Sequence, residues 1–126
     1  YGVPGYIQDA ADFALNQGLA AELEVAAPFR RRRKIAMDLI GGQNVVRAVP
    51  CSGAMYMMLD IRATGLSGEA FAHGLLNAKQ IAVMPGESFG RAAAGHIRVA
   101  MTVDDAQFTH ALEILLNFAA ATSSIK

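Results

Sequence analysis

Arg98 is the residue whose type and setting best suit it to chemistry. It lies in His96-Ile97-Arg98-Val99-Ala100-Met101, and this alternation predicts a short strand over 96–101. Ile97, Val99 and Met101 then share one face. Arg98 shares the other with Ala100, a small neighbour that leaves room beside the guanidinium. A guanidinium fixed on a strand can offer two parallel N–H donors to one carboxylate. Spacing alone leaves a plainer assignment open, an ordinary surface arginine on the outer face of a sheet. Upstream, Pro85-Gly86-Glu87-Ser88-Phe89-Gly90 reads as a turn between two strands, with glycines that allow close backbone approach. By itself it is a connection.

Other polar residues carry less. Arg30-Arg31-Arg32-Arg33-Lys34 is a basic run that suits a nucleic acid or a membrane surface, or a helix that spreads its charge around its circumference. Eleven Lys+Arg against eleven Asp+Glu give a formal net charge of zero, which favours the helix. His73, His96 and His110 are not spaced as a zinc motif, and no metal site is expected. Cys51 reads as a small apolar residue, since nothing nearby in sequence activates it. The methionines, Met55, Met57 and Met58 among them, read as core filler. No glycine-rich phosphate loop opens a helix.

The elements that must position Arg98 follow from periodicity. Pro4 opens a helix with Ile7, Ala10, Ala11, Ala14 and Leu15 on one face, ended near Gly18. A second helical stretch spans 19–40, with a kink or break expected at Pro28 and a stop at Gly41-Gly42. Val45, Val46 and Val49 form a short strand before Pro50. Residues 54–61 alternate, with Met55, Met57, Leu59 and Ile61 on one side. Ser67 caps a helix through Asn77 with Phe71, Ala72, Leu75 and Leu76 inward. A strand over 81–84 stops at Pro85-Gly86. Asp104 caps a last helix with Phe108, Ala111, Leu112, Leu115 and Leu116 inward. The order implies an α+β fold, a small mostly antiparallel sheet with helices packed against it.

The 126 residues make one domain, 1–126, with no internal linker. Hydrophobic residues are 53% and charged residues 17%, so the chain is too apolar to be disordered and some apolar surface is expected to face a partner. One cysteine excludes an intrachain disulfide and fits a reducing, cytoplasmic setting. No membrane span and no signal peptide are read from the sequence. The first residue is Tyr1 rather than Met, so a piece of a longer protein is expected.

Four ordered blocks resemble the C-terminal small domain of class I/II aminotransferases, the aspartate-aminotransferase-like, fold type I pyridoxal-phosphate enzymes. Val3-Pro4-Gly5-Tyr6-Ile7-Gln8-Asp9-Ala10-Ala11 looks like the family's "P-x-x-x-Q-x-A" entry. Phe29-Arg30-Arg31-Arg32-Arg33 looks like a helix block in which an aromatic residue precedes an Arg pair. Pro50-Cys51-Ser52-Gly53-Ala54-Met55-Tyr56 is similar to "P-x-G-A-x-Y" with one extra residue. Residues 85–90 followed by Gly95-His96-Ile97-Arg98-Val99-Ala100 look like "P-G-x-x-F-G … G-x-x-R-h-s", where h is hydrophobic and s small. Two departures are Pro28, where the family has a continuous helix, and Lys34, where an acidic residue often follows the Arg pair.

The resemblance implies that Arg98 binds the substrate α-carboxylate, the one site residue assigned. It implies a parent enzyme that moves an amino group between an amino acid and a 2-oxo acid. Pyridoxal 5'-phosphate would be held mainly by a large domain outside this chain, in a homodimer. Lys34, Lys79 and Lys126 match no Schiff-base motif, so no catalytic or cofactor-binding residue is expected here, and the chain alone is expected to be inactive. The alternative is a free-standing α+β module that binds a small carboxylate without catalysis. No nucleic-acid or membrane partner is expected.

Overall fold

A computed structural model describes residues 2–123; Tyr1 and Lys126 lie outside the described residues. The elements run α1 (Gly5–Leu15), α2 (Leu19–Gly41), β1 (Arg47–Ala48), β2 (Tyr56–Asp60), α3 (Gly68–Lys79), β3 (Met84–Pro85), β4 (His96–Ala100) and α4 (Asp105–Ser123), with 3-10 turns at Arg62–Thr64, Gly86–Phe89 and Arg91–Ala93. The strands form one sheet in the order β1-β2-β4-β3, every pair antiparallel. This is the expected α+β arrangement.

Alternation decides where the core lies. Met57, Leu59 and Ile61 from β2 and its exit are buried with Ile97, Val99 and Met101 from β4 and its exit. Helices cover that face with Ala36 and Ile40 of α2, Phe71 and Leu75 of α3, and Phe108, Leu112, Leu115 and Ala119 of α4. Phe71 meets Phe118 edge to face at 5.2 Å between centroids. Both expected caps form: Ser67 accepts from the Ala70 N–H at 3.1 Å, and Asp104 from the Gln107 N–H at 2.8 Å. A Gln43 side chain organises the bend between α2 and β1. Its amide donates to the carbonyls of Ile40 and Val46, and its oxygen accepts from the N–H groups of Val45 and Val46.

Five expectations change. The strand expected through Val45, Val46 and Val49 is limited to Arg47–Ala48 between them. α2 runs from Leu19 to Gly41 with Pro28 inside it, so the break allowed for there does not occur; the turns beyond Pro28 are held by burial of Ala36 and Ile40. The strand placed at 81–84 is reduced to Met84–Pro85; Ile81 and Val83 pack against the core outside any ladder. Leu76 lies at the margin of the α3 face and is exposed, while Ala111 and Leu116 are only half-buried. Of the methionines, Met57 and Met101 are core, but Met37, Met55 and Met84 are exposed.

α1 contributes no buried residue, and its Tyr6, Ile7, Phe13 and Leu15 are all exposed. Between α1, α2 and the β1–β2 connection lies an apolar cleft of about 740 Å³ lined by Phe13, Leu15, Val25, Phe29 and Met55. The expected apolar surface is therefore present. Among the described residues, no helix is long and apolar enough to cross a membrane.

At the end of β2, Asp60 takes a two-point ion pair from Arg62, with Nε at 2.9 Å and a terminal nitrogen at 2.6 Å. The guanidinium holds the Asp60 carboxyl at about 2 against an ordinary 3.8. A depressed folded-state value means that the pair supports the fold above about pH 4 and loses its effect as the pH falls toward 2. Asp60→Asn is expected to flatten the pH dependence of the denaturation midpoint in that window. An unchanged slope would contradict this assignment.

Candidate functional site

β4 lies between β2 and β3, with Arg98 at its middle. Its burial on the Ile97 and Val99 face forces Arg98 onto the other. The cross-strand neighbours of Arg98 are Met58 on β2 and Met84 on β3, neither of which is charged. Two rings cover the guanidinium: Arg98 Cζ is 4.1 Å from the Tyr56 ring centroid and 4.6 Å from that of Phe89. Both are within the range of a cation–π contact. Among the described residues, no carboxylate lies within ion-pair distance of Arg98. Arg30, Arg33, Arg47 and Arg91 also lack an acid, but Arg30, Arg47 and Arg91 are exposed and the half-buried Arg33 donates to the Cys51 carbonyl, whereas the half-buried Arg98 faces two rings. The site therefore presents a fixed, ring-clamped cation with N–H donors available for an anion.

The turn at 85–90 sits beside it and supplies Phe89. Gly86 is buried, and a Cβ on it would run into the carbonyl oxygens of Ala93 and His96, so the close approach expected of its glycines is required here. Gly90 leaves the turn at φ +102°, a conformation that favours glycine. Within the turn, Glu87 Oε1 accepts from the N–H groups of Gly68 at 2.9 Å and Gly95 at 3.2 Å.

The other residues singled out by sequence lie elsewhere. Arg31 and Arg32 both pair with Asp105 of α4, at 3.0 and 2.7 Å, and Arg32 also donates to the Met101 carbonyl. Arg33 donates to the Cys51 carbonyl and Lys34 pairs with Asp38. The basic run thus reads as helix charges engaged within the fold. His73 and His110 are exposed; the His96 ring meets the Ala94 carbonyl. Among the described residues, no group of three potential metal ligands occurs. Cys51 is half-buried, with its thiol against the carbonyls of Gly53 and Tyr56. Sequence reasoning missed Tyr56, Phe89 and Glu87 as members of one cluster. The sequence carries no signal that joins them, since the blocks that hold Tyr56, Phe89 and Arg98 meet only through the pairing of β2 with β4 and the turn beside it.

Residues 3–115 match the family model of aminotransferase class I and II. The arginine–pyruvate transaminase of Pseudomonas aeruginosa is 41% identical over 103 residues, which cover 82% of this chain and 26% of that protein. An aromatic aminotransferase from Pyrococcus horikoshii superposes with a TM-score of 0.69 at 27% identity, over 75% of this chain and 25% of that one. The aspartate aminotransferase of Thermus thermophilus with maleate gives 0.60 at 30% identity, over 73% and 23%. The chain spans about a quarter of the length of the proteins it matches.

Gly86→Ala is expected to lower stability by about 1–3 kcal/mol, because the new methyl meets backbone that cannot rotate away. Denaturant unfolding measures this, and a variant as stable as its parent would contradict the close packing.

Proposed function

The chain belongs to the class I and II aminotransferases, and on that premise we propose that residues 1–126 form the C-terminal small domain of an enzyme that moves an amino group between an amino acid and a 2-oxo acid. In this reading Arg98 binds the α-carboxylate that both substrates carry. The observation that carries it is the half-buried Arg98 guanidinium, clamped by Tyr56 and Phe89 and without a carboxylate partner among the described residues. A buried-side cation without an acid is costly unless an anion arrives. A substrate carboxylate supplies that anion through two charge-assisted hydrogen bonds, which fix both position and orientation. Maleate, named with one structural relative, is itself a dicarboxylate.

Members of this family depend on pyridoxal phosphate, which supplies the electron sink for chemistry at the α-carbon. The described residues do not suit it. Lys34 is exposed and paired with Asp38, and Lys79 is exposed at the last residue of α3. Neither lies on β2, β4 or the turn at 85–90. We therefore assign the cofactor and its lysine to the remainder of the protein, with this domain gripping the substrate's carboxylate end. The exposed apolar faces of α1 and the adjoining cleft support burial against that remainder and against a second subunit in a homodimer, for which we propose the cytoplasm as the location.

Arg98→Lys in the complete gene product tests the role. Lysine keeps the charge but loses the planar fork and the ring contacts. KM for amino donor and for 2-oxo acid is expected to rise roughly 10- to 100-fold, with cofactor absorbance unchanged. Unchanged kinetics would remove Arg98 from the site.

A further inference from the structure

We propose that Glu87 is a positioning residue for the carboxylate-binding fork: it fixes the Gly86–Phe89 turn so that the Phe89 ring stays against the Arg98 guanidinium. This rests on the reading of Arg98 given above. Glu87 and Phe89 lie two residues apart in one short turn, which the Gly90 N–H closes on the Glu87 carbonyl at 3.1 Å. The Glu87 carboxylate reaches out of that turn to two other segments. Its Oε1 accepts from Gly68, at the start of α3, and from Gly95, immediately before β4. One oxygen therefore ties the turn to the helix and to the strand that carries Arg98.

The bond to α3 is favoured on two counts. The first N–H groups of a helix lack intrahelical partners, and the positive end of the helix attracts a carboxylate. Ser67 caps the Ala70 N–H and leaves that of Gly68 to Glu87, so the two acceptors divide the helix terminus between them. The N–H groups of Glu87 itself, Gly95, Gly68 and Glu69 hold the carboxyl below the usual range, so it is ionised at neutral pH. Space is as restricted as charge. A Cβ on Gly68 would strike Glu87 Oε2 and the His96 carbonyl. Oε2 is buried without a well-formed hydrogen bond of its own. A carboxylate kept in so confined a place at that cost is placed there for position. Phe89, by contrast, is 48% exposed, and little packing holds it over Arg98 except the turn it belongs to.

The test compares kinetics of the complete enzyme with single variants. Glu87→Ala frees the turn and is expected to raise KM for amino donor and 2-oxo acid about tenfold, the size of a lost cation–π contact, with kcat within about twofold of the parent. Glu87→Gln keeps an acceptor for Gly68 and Gly95 and is expected to restore KM to within about threefold. Phe89→Leu should reproduce the rise, and joining it to Glu87→Ala should add little further, because both remove one contact. Ser67→Ala is the control for simple loss of α3 stability and should leave KM unchanged. An unchanged KM in Glu87→Ala or in Phe89→Leu overturns the proposal, as does a Glu87→Ala effect shared by Ser67→Ala. Should Glu87→Ala fail to fold, Glu87→Asp, whose shorter side chain draws the carboxylate away from Gly68 and Gly95, takes its place, and an unchanged KM there overturns the proposal. A KM that rises in Arg98→Lys but not in Phe89→Leu refutes the positioning role and leaves the carboxylate role standing. A KM unmoved in Arg98→Lys refutes both.

Discussion

The pairing of β4 with β2 is the constraint on which the site depends. Five residue pairs fix it, Tyr56 with Ala100 through Asp60 with His96, and the Met101 N–H extends it to the Met55 carbonyl at 2.8 Å. Because strand side chains alternate, slipping this register by one residue would turn Arg98 inward and Ile97 and Val99 outward. Each buried aliphatic side chain is worth about 1.5–3 kcal/mol, and an unpaired buried guanidinium costs more than that. The apolar residues of β4 therefore hold Arg98 outward more firmly than any contact of Arg98 itself. The same pairing brings Tyr56 to Arg98: it lies two positions from Met58, the cross-strand partner of Arg98, on the same sheet face.

Charge is distributed so that Arg98 stays available. α2 carries a dense basic run, and four of its five charges are engaged: Arg31 and Arg32 by Asp105, Arg33 by the Cys51 carbonyl and Lys34 by Asp38. Arg31 and Arg32 converge on Asp105, whose carboxyl Arg31 and then Arg32 hold below its ordinary range. Arg32 has only 13% of its side chain exposed and also grips the Met101 carbonyl, one residue past β4. It thus ties α2, α4 and the end of the site strand together. Arg62 is taken up by Asp60. On the sheet face of Arg98 the cross-strand neighbours are Met58 and Met84, and Asp60, two positions from Met58, is paired with Arg62, so among the described residues no acid is ion-paired with Arg98.

What the sequence makes legible is what depends on neighbours along the chain. The outward face of Arg98, the caps at Ser67 and Asp104 and the element order all follow from spacing within a few residues. What it hides depends on distant partners. Pro28 predicts a break by local rules, but α2 is held by packing of Ala36 and Ile40 further along. The segment at 81–84 has strand-like composition, but β4 offers it pairing only at Met84 and Pro85. Glu87 looks like a turn residue, because its partners lie 19 and 8 residues away. The ring clamp on Arg98 joins three blocks whose adjacency only the fold creates.

The clamp also bears on what the domain can select. Tyr56 and Phe89 both pack within cation–π range of the Arg98 guanidinium, whose N–H donors point outward in its own plane, along its edge. A flat, two-oxygen anion matches that edge, whereas a compact cation such as lysine would have no plane for the rings to hold. The clamp therefore favours a carboxylate in one orientation and is indifferent to the rest of the molecule attached to it. Every amino acid and every 2-oxo acid carries that group, so discrimination between side chains must come from surfaces away from Arg98. On the proposed reading the arrangement would serve a transfer reaction well: a donor and an acceptor that differ at the α-carbon and share the carboxylate would be held by the same guanidinium.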